Sequence, residues 1–194
     1  MTPRVLLVED NPGHAHLLRE MLTRTAPSQF ELTHVQRLGE ALQCLDEAPF
    51  DLVLLDLSLP DSWGLETFAQ ARAQVSDVPI IVLSSLDDES LAAQAAREGA
   101  QDYLVKGQVD GPLLVRAMHY AVERSRAEAL IRAQRDLGLA LGAAAELDQI
   151  LRMCVETAIR VSGMDCGGVY LVDKETGDID LAFHQGLSPQ FVAS

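Results

Sequence analysis

Reactive side chains stand at the ends of four dense apolar segments in this sequence. Glu9 and Asp10 follow the first segment, Asp56 the second, Ser84 the third and Lys106 the last. If these segments are parallel strands of an open α/β sheet, their carboxyl ends meet at the edge where such sheets bind ligands. The sequence therefore predicts a site with three carboxylates, a hydroxyl and an amine.

These residue types suit the transfer of a phosphoryl group. Crowded carboxylates repel one another and favour a bound cation, and their hard oxygen atoms are ligands that Mg²⁺ or Mn²⁺ accepts. A carboxylate such as Asp56 can attack phosphorus and form an aspartyl phosphate. The cation and Lys106 can stabilise the charge on the transferring group, and the Ser84 hydroxyl can donate a hydrogen bond to it.

Five strand-like segments alternate with helical segments in the first part of the chain. Short continuous apolar runs are typical of strands buried in a parallel sheet, and apolar residues three and four apart indicate helices. We expect strands at 5–8, 30–35, 51–55, 79–83 and 103–105, and helices at 14–25, 38–45, 65–75 and 89–98. This order predicts a doubly wound α/β fold with helices on both faces of the sheet.

A long helical segment follows the last predicted strand. Residues 113–141 contain no proline and many good helix formers. Leu130 and Leu137 are seven residues apart, which favours a short coiled coil and a homodimer through this helix. The alternative is a helix that frays past residue 126.

The end of the chain predicts a small second unit. A helix at 147–161 and strands at 166–172 and 179–184 are expected there. One helix and one hairpin are too little to enclose a core. We therefore expect a partial α+β unit that belongs to a longer protein.

Composition and charge exclude several classes of function. The 194 residues carry 15 Lys and Arg against 29 Asp and Glu, a net charge of −14, with no basic stripe. Binding to nucleic acid or to an anionic membrane surface is therefore not expected. No apolar stretch is long enough to span a membrane, and the N-terminus lacks the pattern of a secretory signal, so we expect a cytoplasmic protein.

The three cysteines, Cys44, Cys154 and Cys166, are widely spaced and odd in number. This spacing disfavours a disulfide framework and a zinc site. Buried thiols in a reducing compartment are expected instead.

Four motifs, in this order and spacing, resemble the receiver domain of bacterial response regulators, the phosphoacceptor module of two-component phosphorelay signalling. They are Val-Leu-Leu-Val-Glu-Asp at 5–10, Leu-Val-Leu-Leu-Asp-Leu-Ser-Leu-Pro at 52–60 with Gly64, Pro-Ile-Ile-Val-Leu-Ser at 79–84, and Gly-Ala-Gln-Asp-Tyr-Leu-Val-Lys at 99–106. The resemblance covers residues 3–125. It implies a flavodoxin-like parallel sheet of five strands in the order 2-1-3-4-5. It also implies a phosphohistidine donor, either a sensor histidine kinase or a phosphotransfer protein.

The resemblance implies a role for each matching residue. Asp56 corresponds to the phosphoacceptor, and Lys106 to the lysine that pairs with the phosphoryl group. Ser84 corresponds to the switch hydroxyl, and Tyr103 to the aromatic that rotates inward. The implied ligands of Mg²⁺ or Mn²⁺ are Glu9, Asp10, Asp56 and the backbone carbonyl of Ser58. Phosphorylation would then shift a two-state equilibrium that is relayed through the C-terminal helix.

Two positions depart from the family pattern. Gly107 stands where the family usually has a proline joined by a cis peptide bond, so a trans bond or a differently shaped loop is expected after Lys106. Trp63 lies in the loop after Asp56, where small or polar residues are common. It is either partly buried against that loop or a contact for a docking partner.

A second resemblance concerns the end of the chain. The motifs Leu-Asp-Gln-Ile-Leu at 147–151, Asp-Cys-Gly-Gly-Val-Tyr-Leu-Val-Asp at 165–173 and His-Gln-Gly-Leu-Ser at 184–188 are similar to the start of a GAF domain. The expected organisation is a receiver domain at 1–125, a helical linker at 126–145 and an N-terminal GAF-like fragment at 146–194. No ligand is assigned to this fragment, because only the first third of such a domain is present.

Two other functions remain open at this point. A small Mg²⁺-dependent phosphatase or hydrolase also forms an aspartyl phosphate, but such enzymes carry Asp-x-Asp, whereas Leu54 and Ser58 stand two residues either side of Asp56. The second alternative is an interaction module that is not phosphorylated, which the reactive residue at each site position disfavours. We therefore expect a regulatory phosphoacceptor that slowly loses its own phosphoryl group, and not an enzyme.

Overall fold

The computed structural model describes residues 2–75, 77–85, 89–143, 147–173 and 176–192. The chain divides into two units, Met1–Arg126 and Ala127–Ser194. The domain borders expected at residues 125 and 145 stay predictions. Residues 144–146, at the border between the predicted linker and the predicted GAF-like fragment, lie outside the described residues.

The first unit contains a five-stranded parallel sheet. The strands of this unit are β1 (Arg4–Val8), β2 (Glu31–Val35), β3 (Leu52–Asp56), the short β4 (Ser58–Leu59) and β5 (Ser62–Trp63), β6 (Ile80–Ser84) and β7 (Asp102–Val105). The sheet order is β2-β1-β3-β6-β7, which confirms the predicted order 2-1-3-4-5 when the strands of this sheet are counted alone. The antiparallel hairpin of β4 and β5 was not predicted.

Five helices accompany the sheet, and they are α1 (Pro12–Thr25), α2 (Leu38–Glu47), α3 (Leu65–Gln74), α4 (Glu89–Arg97) and α5 (Gly111–Ala143). Successive strand residues point to opposite faces. Leu7 and Leu54 pack on one face with α1 and α5, whereas Leu6, Leu55 and Phe68 pack on the other with α2, α3 and α4. All five residues of β3 are buried, which explains why its sequence is a continuous apolar run up to Asp56.

The β4–β5 hairpin connects β3 to α3, directly after the carboxyl end of β3. Gly64 closes its base, since its amide donates to the Leu57 carbonyl at 2.7 Å. Gly64 has a φ of 68°, a left-handed conformation that glycine adopts without steric cost. The chain can therefore turn sharply from the hairpin into α3.

The second unit contains α6 (Leu147–Ser162), the antiparallel strands β8 (Gly167–Val172) and β9 (Ile179–Gln185), and the short α7 (Pro189–Val192). Leu151 and Val155 of α6 are buried against this hairpin. Helix α5 continues without interruption to Ala143, so the alternative of a helix that frays past residue 126 is wrong.

The burial of the three cysteines differs from the prediction. All three are free thiols, but Cys166 is exposed and Cys44 and Cys154 are partly exposed. Cys166 directly precedes β8 in a two-stranded sheet that leaves much of its surface in solvent, so burial predicted from residue type alone is wrong here. Among the described helices, none is both long enough and apolar enough to cross a bilayer.

Candidate functional site

The strand order brings three carboxylates together at one edge of the sheet. Val8 of β1 pairs with Leu55 of β3, so the residues that follow them, Glu9 and Asp56, end at the same level. Carboxylate oxygens of Glu9, Asp10 and Asp56 lie within 4.8 Å of one another. Glu9 is fully buried, and Asp56 is 3% exposed. The structure therefore assembles the acidic cluster that was predicted from strand ends.

Lys106 reaches this cluster from the end of β7, two strands away from β3. Its Nζ lies 2.7 Å from Asp56 Oδ2 and 2.5 Å from Glu9 Oε2. Its backbone amide donates to the Ser84 carbonyl at 2.8 Å, which fixes the start of the loop. The peptide bonds between described residues are all trans, including the bond from Lys106 to Gly107. Replacing the usual proline by Gly107 therefore leaves the lysine within reach of Asp56.

Charge in this site is only partly balanced. The Lys106 side chain is 10% exposed, so its ammonium group sits in a poorly solvated position between two buried carboxylates. One positive charge faces Glu9 and Asp56, and Asp10 adds a third carboxylate nearby. Because an uncompensated buried charge is costly, a further positive charge beside these carboxylates would be electrostatically favourable.

The remaining predicted residues surround Asp56. The amide of Ser58 donates to Asp56 Oδ1 at 3.1 Å. Ser84 ends β6, the strand next to β3, and is 4% exposed. Tyr103 lies on the outer strand β7, where it is partly buried and packs against the apolar cluster on the α2, α3 and α4 face.

The amino-acid sequence matches a known family over most of the first unit. The family described as "Response regulator receiver domain" matches residues 5–118. The chain belongs to the response-regulator receiver family. Residues 5–118 are therefore a receiver domain of the kind found in two-component response regulators. Such domains are regulatory, and as a family they partner with sensor histidine kinases.

Relatives of this receiver domain are found in bacteria and in a methanogen. The chain is 41% identical over 102 residues to the KDP operon transcriptional regulatory protein KdpE of Escherichia coli, a match that covers 53% of this chain and 44% of KdpE. It is 38% identical over 106 residues to the methanogenesis regulatory protein FilR1 of Methanothrix harundinacea, covering 53% of this chain and 23% of FilR1. The chain thus spans less than half the length of these relatives.

A solved receiver structure has the same fold. The signal receiver domain of an HD domain-containing protein from Pseudomonas fluorescens superimposes with a TM-score of 0.58 at 28% identity. The superposition covers 66% of this chain and 91% of that one. The receiver fold of the first unit is therefore shown by both sequence and structure.

Two histidines lie close to Glu9. His14 of α1 has a half-exposed side chain, and its Nδ1 lies 3.5 Å from Glu9 Oε1. His34 of β2 has its Nε2 2.8 Å from the Glu9 carbonyl oxygen. No sequence pattern indicates the contact of His34, because it depends on β2 pairing with β1 in this register.

Two residues of the β4–β5 hairpin also differ from expectation. Trp63 is 72% exposed, so the interpretation that it is partly buried against the loop is wrong. Asp61, which was not predicted to have a role, accepts hydrogen bonds from the amides of Leu38 and Gly39, both at 3.0 Å. Burial raises the pKa of Asp61, but these two amides and the nearby Arg37 outweigh it and hold the pKa below its ordinary value.

Proposed function

We propose that this receiver domain accepts a phosphoryl group on Asp56 from a phosphohistidine donor. The observation that carries the proposal is the 2.7 Å contact between Lys106 Nζ and Asp56 Oδ2 in a buried site. An ammonium group at that distance is placed to neutralise a phosphoryl group attached to Asp56. Ser84, at the end of the adjacent strand, supplies the hydroxyl that donates a hydrogen bond to that group.

The proposed reaction is a transfer between an imidazole nitrogen and a carboxylate oxygen. An oxygen of Asp56 attacks the phosphorus atom, the new P–O bond forms, and the P–N bond breaks. The electron pair of the broken bond stays on the donor nitrogen, and the ring, protonated on its other nitrogen, leaves as neutral imidazole. Lys106 holds its ammonium beside the acceptor throughout, and the buried position of Asp56 limits the access of water to the product.

The donor atoms of this site fit a hard divalent cation. The three carboxylates of the cluster have oxygens within 4.8 Å of one another, and one lysine does not balance their charge. Oxygen ligands of this kind suit Mg²⁺ or Mn²⁺. Glu9, Asp10, Asp56 and the Ser58 carbonyl would hold the ion. When bound, it supplies positive charge that stabilises the oxygens of the transferring phosphoryl group.

The donor protein must reach Asp56 over the surface beside Lys106. A cavity of about 390 Å³ lies there, lined by Leu17, Leu18 and Met21 of α1 together with Lys106. Leu17 is 48% exposed although it is apolar. We assign this surface to a sensor histidine kinase or a phosphotransfer protein, because its apolar side chains are adjacent to the atom that must receive the phosphoryl group.

Phosphorylation is proposed to shift a two-state equilibrium, with Ser84 drawn to the phosphoryl group and Tyr103 turning inward. The shift cannot exceed the difference in free energy with which the two states bind the group. Tyr103 lies on β7, the strand that precedes α5 in the chain, so the change would be relayed through α5.

Residues 126–145 are the proposed linker, and residues 146–194 are the proposed GAF-like fragment. The helix α6 and the β8–β9 hairpin of this fragment are consistent with the start of a GAF fold.

Intact mass spectrometry tests the phosphoacceptor directly. The full chain is incubated with Mg²⁺ and phosphoramidate, a small donor with a P–N bond, and compared with Asp56→Asn. Wild type should gain the mass of one phosphoryl group, and Asp56→Asn should gain none. Asp51→Asn, directly before the start of β3, is the matched control and should be phosphorylated like wild type. No gain in wild type, or an equal gain in Asp56→Asn, contradicts the proposal.

A further inference from the structure

Helix α2 takes its N-terminal cap from a residue far along the chain. Its own N-cap residue, Arg37, makes no side-chain cap hydrogen bond. The two oxygens of Asp61 instead accept one amide each, from Leu38 and from Gly39, both at 3.0 Å. These are two of the amides that lack partners within a helix, so Asp61 satisfies donors that Arg37 leaves open.

We propose that Asp61 is a positioning residue for the phosphoacceptor site: its cap on α2 holds the β4–β5 hairpin, and with it the backbone of Ser58 beside Asp56. The inference rests on the proposed function, since it concerns the same site.

The hairpin is too short to hold itself in place. Each of its strands contributes two residues, with Ser58 opposite Trp63 and Leu59 opposite Ser62. Isolated two-stranded hairpins are marginal in water even when they are longer. The conformation of this hairpin therefore depends on its contacts with the rest of the unit.

These contacts hold the hairpin at different points. Gly64 fixes the base through its amide bond to the Leu57 carbonyl, and Leu59 is buried in the core. Thr67 of α3 donates to Ser62 Oγ at 2.8 Å. Asp61, between the two short strands, connects the turn of the hairpin to α2 through its two hydrogen bonds. These bonds join residues that are more than 20 positions apart in sequence.

The cap is connected to the site through the first strand of the hairpin. Ser58 donates its amide to Asp56 Oδ1 at 3.1 Å, and its carbonyl is a proposed ligand of the divalent cation. Groups that orient metal ligands without touching the metal typically change metal affinity by about 10- to 100-fold when they are removed. Since Asp61 acts through the backbone, an effect at the lower end, about tenfold, is expected for its loss.

The experiment uses the full chain and separates two effects of Asp61: the capping of α2, and the hydrogen-bonded connection between the hairpin and α2. Asp61→Ala removes both. Arg37→Ser combined with Asp61→Ala restores a local cap, because Arg37 already has the extended backbone of an N-cap residue and serine is a favoured cap. Asp51→Ala is the matched control: Asp51 also makes two contacts, to Arg4 and Arg126, but it precedes β3, at the opposite end of the strand from Asp56.

Three quantities are measured for each variant: the Kd of Mg²⁺ by calorimetry, the melting temperature, and amide hydrogen exchange of residues 57–63 without divalent cations. Asp61→Ala should bind Mg²⁺ about tenfold more weakly, melt about 4 °C lower and exchange the amides of residues 57–63 faster than wild type. The double variant should recover the melting temperature but keep the weak Mg²⁺ binding and faster exchange. Asp51→Ala should melt lower and bind Mg²⁺ like wild type.

Two results overturn the inference while leaving phosphorylation intact. One is Mg²⁺ affinity in Asp61→Ala equal to that of wild type. The other is recovery of Mg²⁺ affinity together with the melting temperature in the double variant, which would make Asp61 a cap and nothing more. If wild type neither binds Mg²⁺ nor accepts a phosphoryl group from phosphoramidate, the proposed function fails and this inference with it.

Discussion

At the scale of single residues, Lys106 determines the charge balance of the site. Its Nζ contacts both Glu9 and Asp56, whose side chains are 0% and 4% exposed. A buried ion pair adds little stability compared with an apolar replacement, but removing one partner leaves the other buried without compensation. The lysine therefore contributes to the stability of the receiver domain as well as to the proposed chemistry.

The substitution Lys106→Ala should lower the free energy of unfolding by about 3 kcal/mol without divalent cations, because two buried carboxylates lose their positive partner. Added Mg²⁺ should recover part of this loss, since the proposed cation site exists only in the folded state. Urea denaturation with and without Mg²⁺ measures both effects. Arg126→Ala removes the half-exposed contact with Asp51 and should cost no more than about 1 kcal/mol. Equal stability of the two variants would contradict the argument.

At the scale of elements, the ends of strands and helices arrange the site. Glu9, Asp56 and Ser84 all stand at carboxyl ends of adjacent parallel strands, so the sheet order alone brings them together. Helix α2 and the β4–β5 hairpin are joined there by Asp61. Loop geometry at this edge therefore depends on hydrogen bonds between elements that are separate in sequence.

The cap on α2 should make stability depend on pH. The pKa of Asp61 is lowered from 3.8 in the folded state, so its carboxylate stabilises the fold above that value and the contribution is lost as the pH falls through the folded pKa. The difference in free energy of unfolding between wild type and Asp61→Ala should thus be largest above pH 5 and shrink below pH 3.8. Urea unfolding across this range measures it, and a difference that is independent of pH contradicts the prediction.

At the scale of the whole molecule, α5 is the element that links the receiver domain to the rest of the chain. It spans Gly111–Ala143, and within it Leu114 and Met118 are fully buried on the sheet. Further along the same helix, Leu130 is 46% exposed, although it is apolar. The heptad spacing of Leu130 and Leu137 gives this surface the pattern of a coiled-coil seam.

A second copy of the chain is the predicted partner of this seam. Sedimentation equilibrium over a concentration series should show the mass approaching twice 21.1 kDa as concentration rises. Leu130→Glu combined with Leu137→Glu should restore the single-chain mass, because the charges would face each other across the seam. Leu139→Glu is the control, since Leu139 is 68% exposed and lies off the heptad positions. A single-chain mass for wild type at every concentration contradicts the prediction.

The sequence predicted the sheet and the reactive residues at the carboxyl ends of its strands, but not the contacts that support them. Strand ends can be recognised locally, which is why Glu9, Asp10, Asp56, Ser84 and Lys106 were found. Asp61 and His34 are polar residues of ordinary type, and their partners lie more than 20 positions away. Only a known register and loop path could have identified them.

Burial was the other property that residue type predicted poorly. Trp63 and Cys166 are residues that usually lie inside proteins, yet Trp63 is 72% exposed and Cys166 is also exposed. Each lies in or directly beside a two-stranded hairpin, where few neighbouring elements are available to cover it.

Local sequence features were sufficient to predict the α/β alternation, the strand ends that carry reactive groups and the family of the first unit, because periodicity and the order of motifs are properties of neighbouring residues. It is the packing of the elements that places Lys106 between Glu9 and Asp56, makes Asp61 the cap of α2 and leaves Trp63 exposed. Each of these depends on distances between elements that are remote in sequence, and such distances are set only when the elements pack.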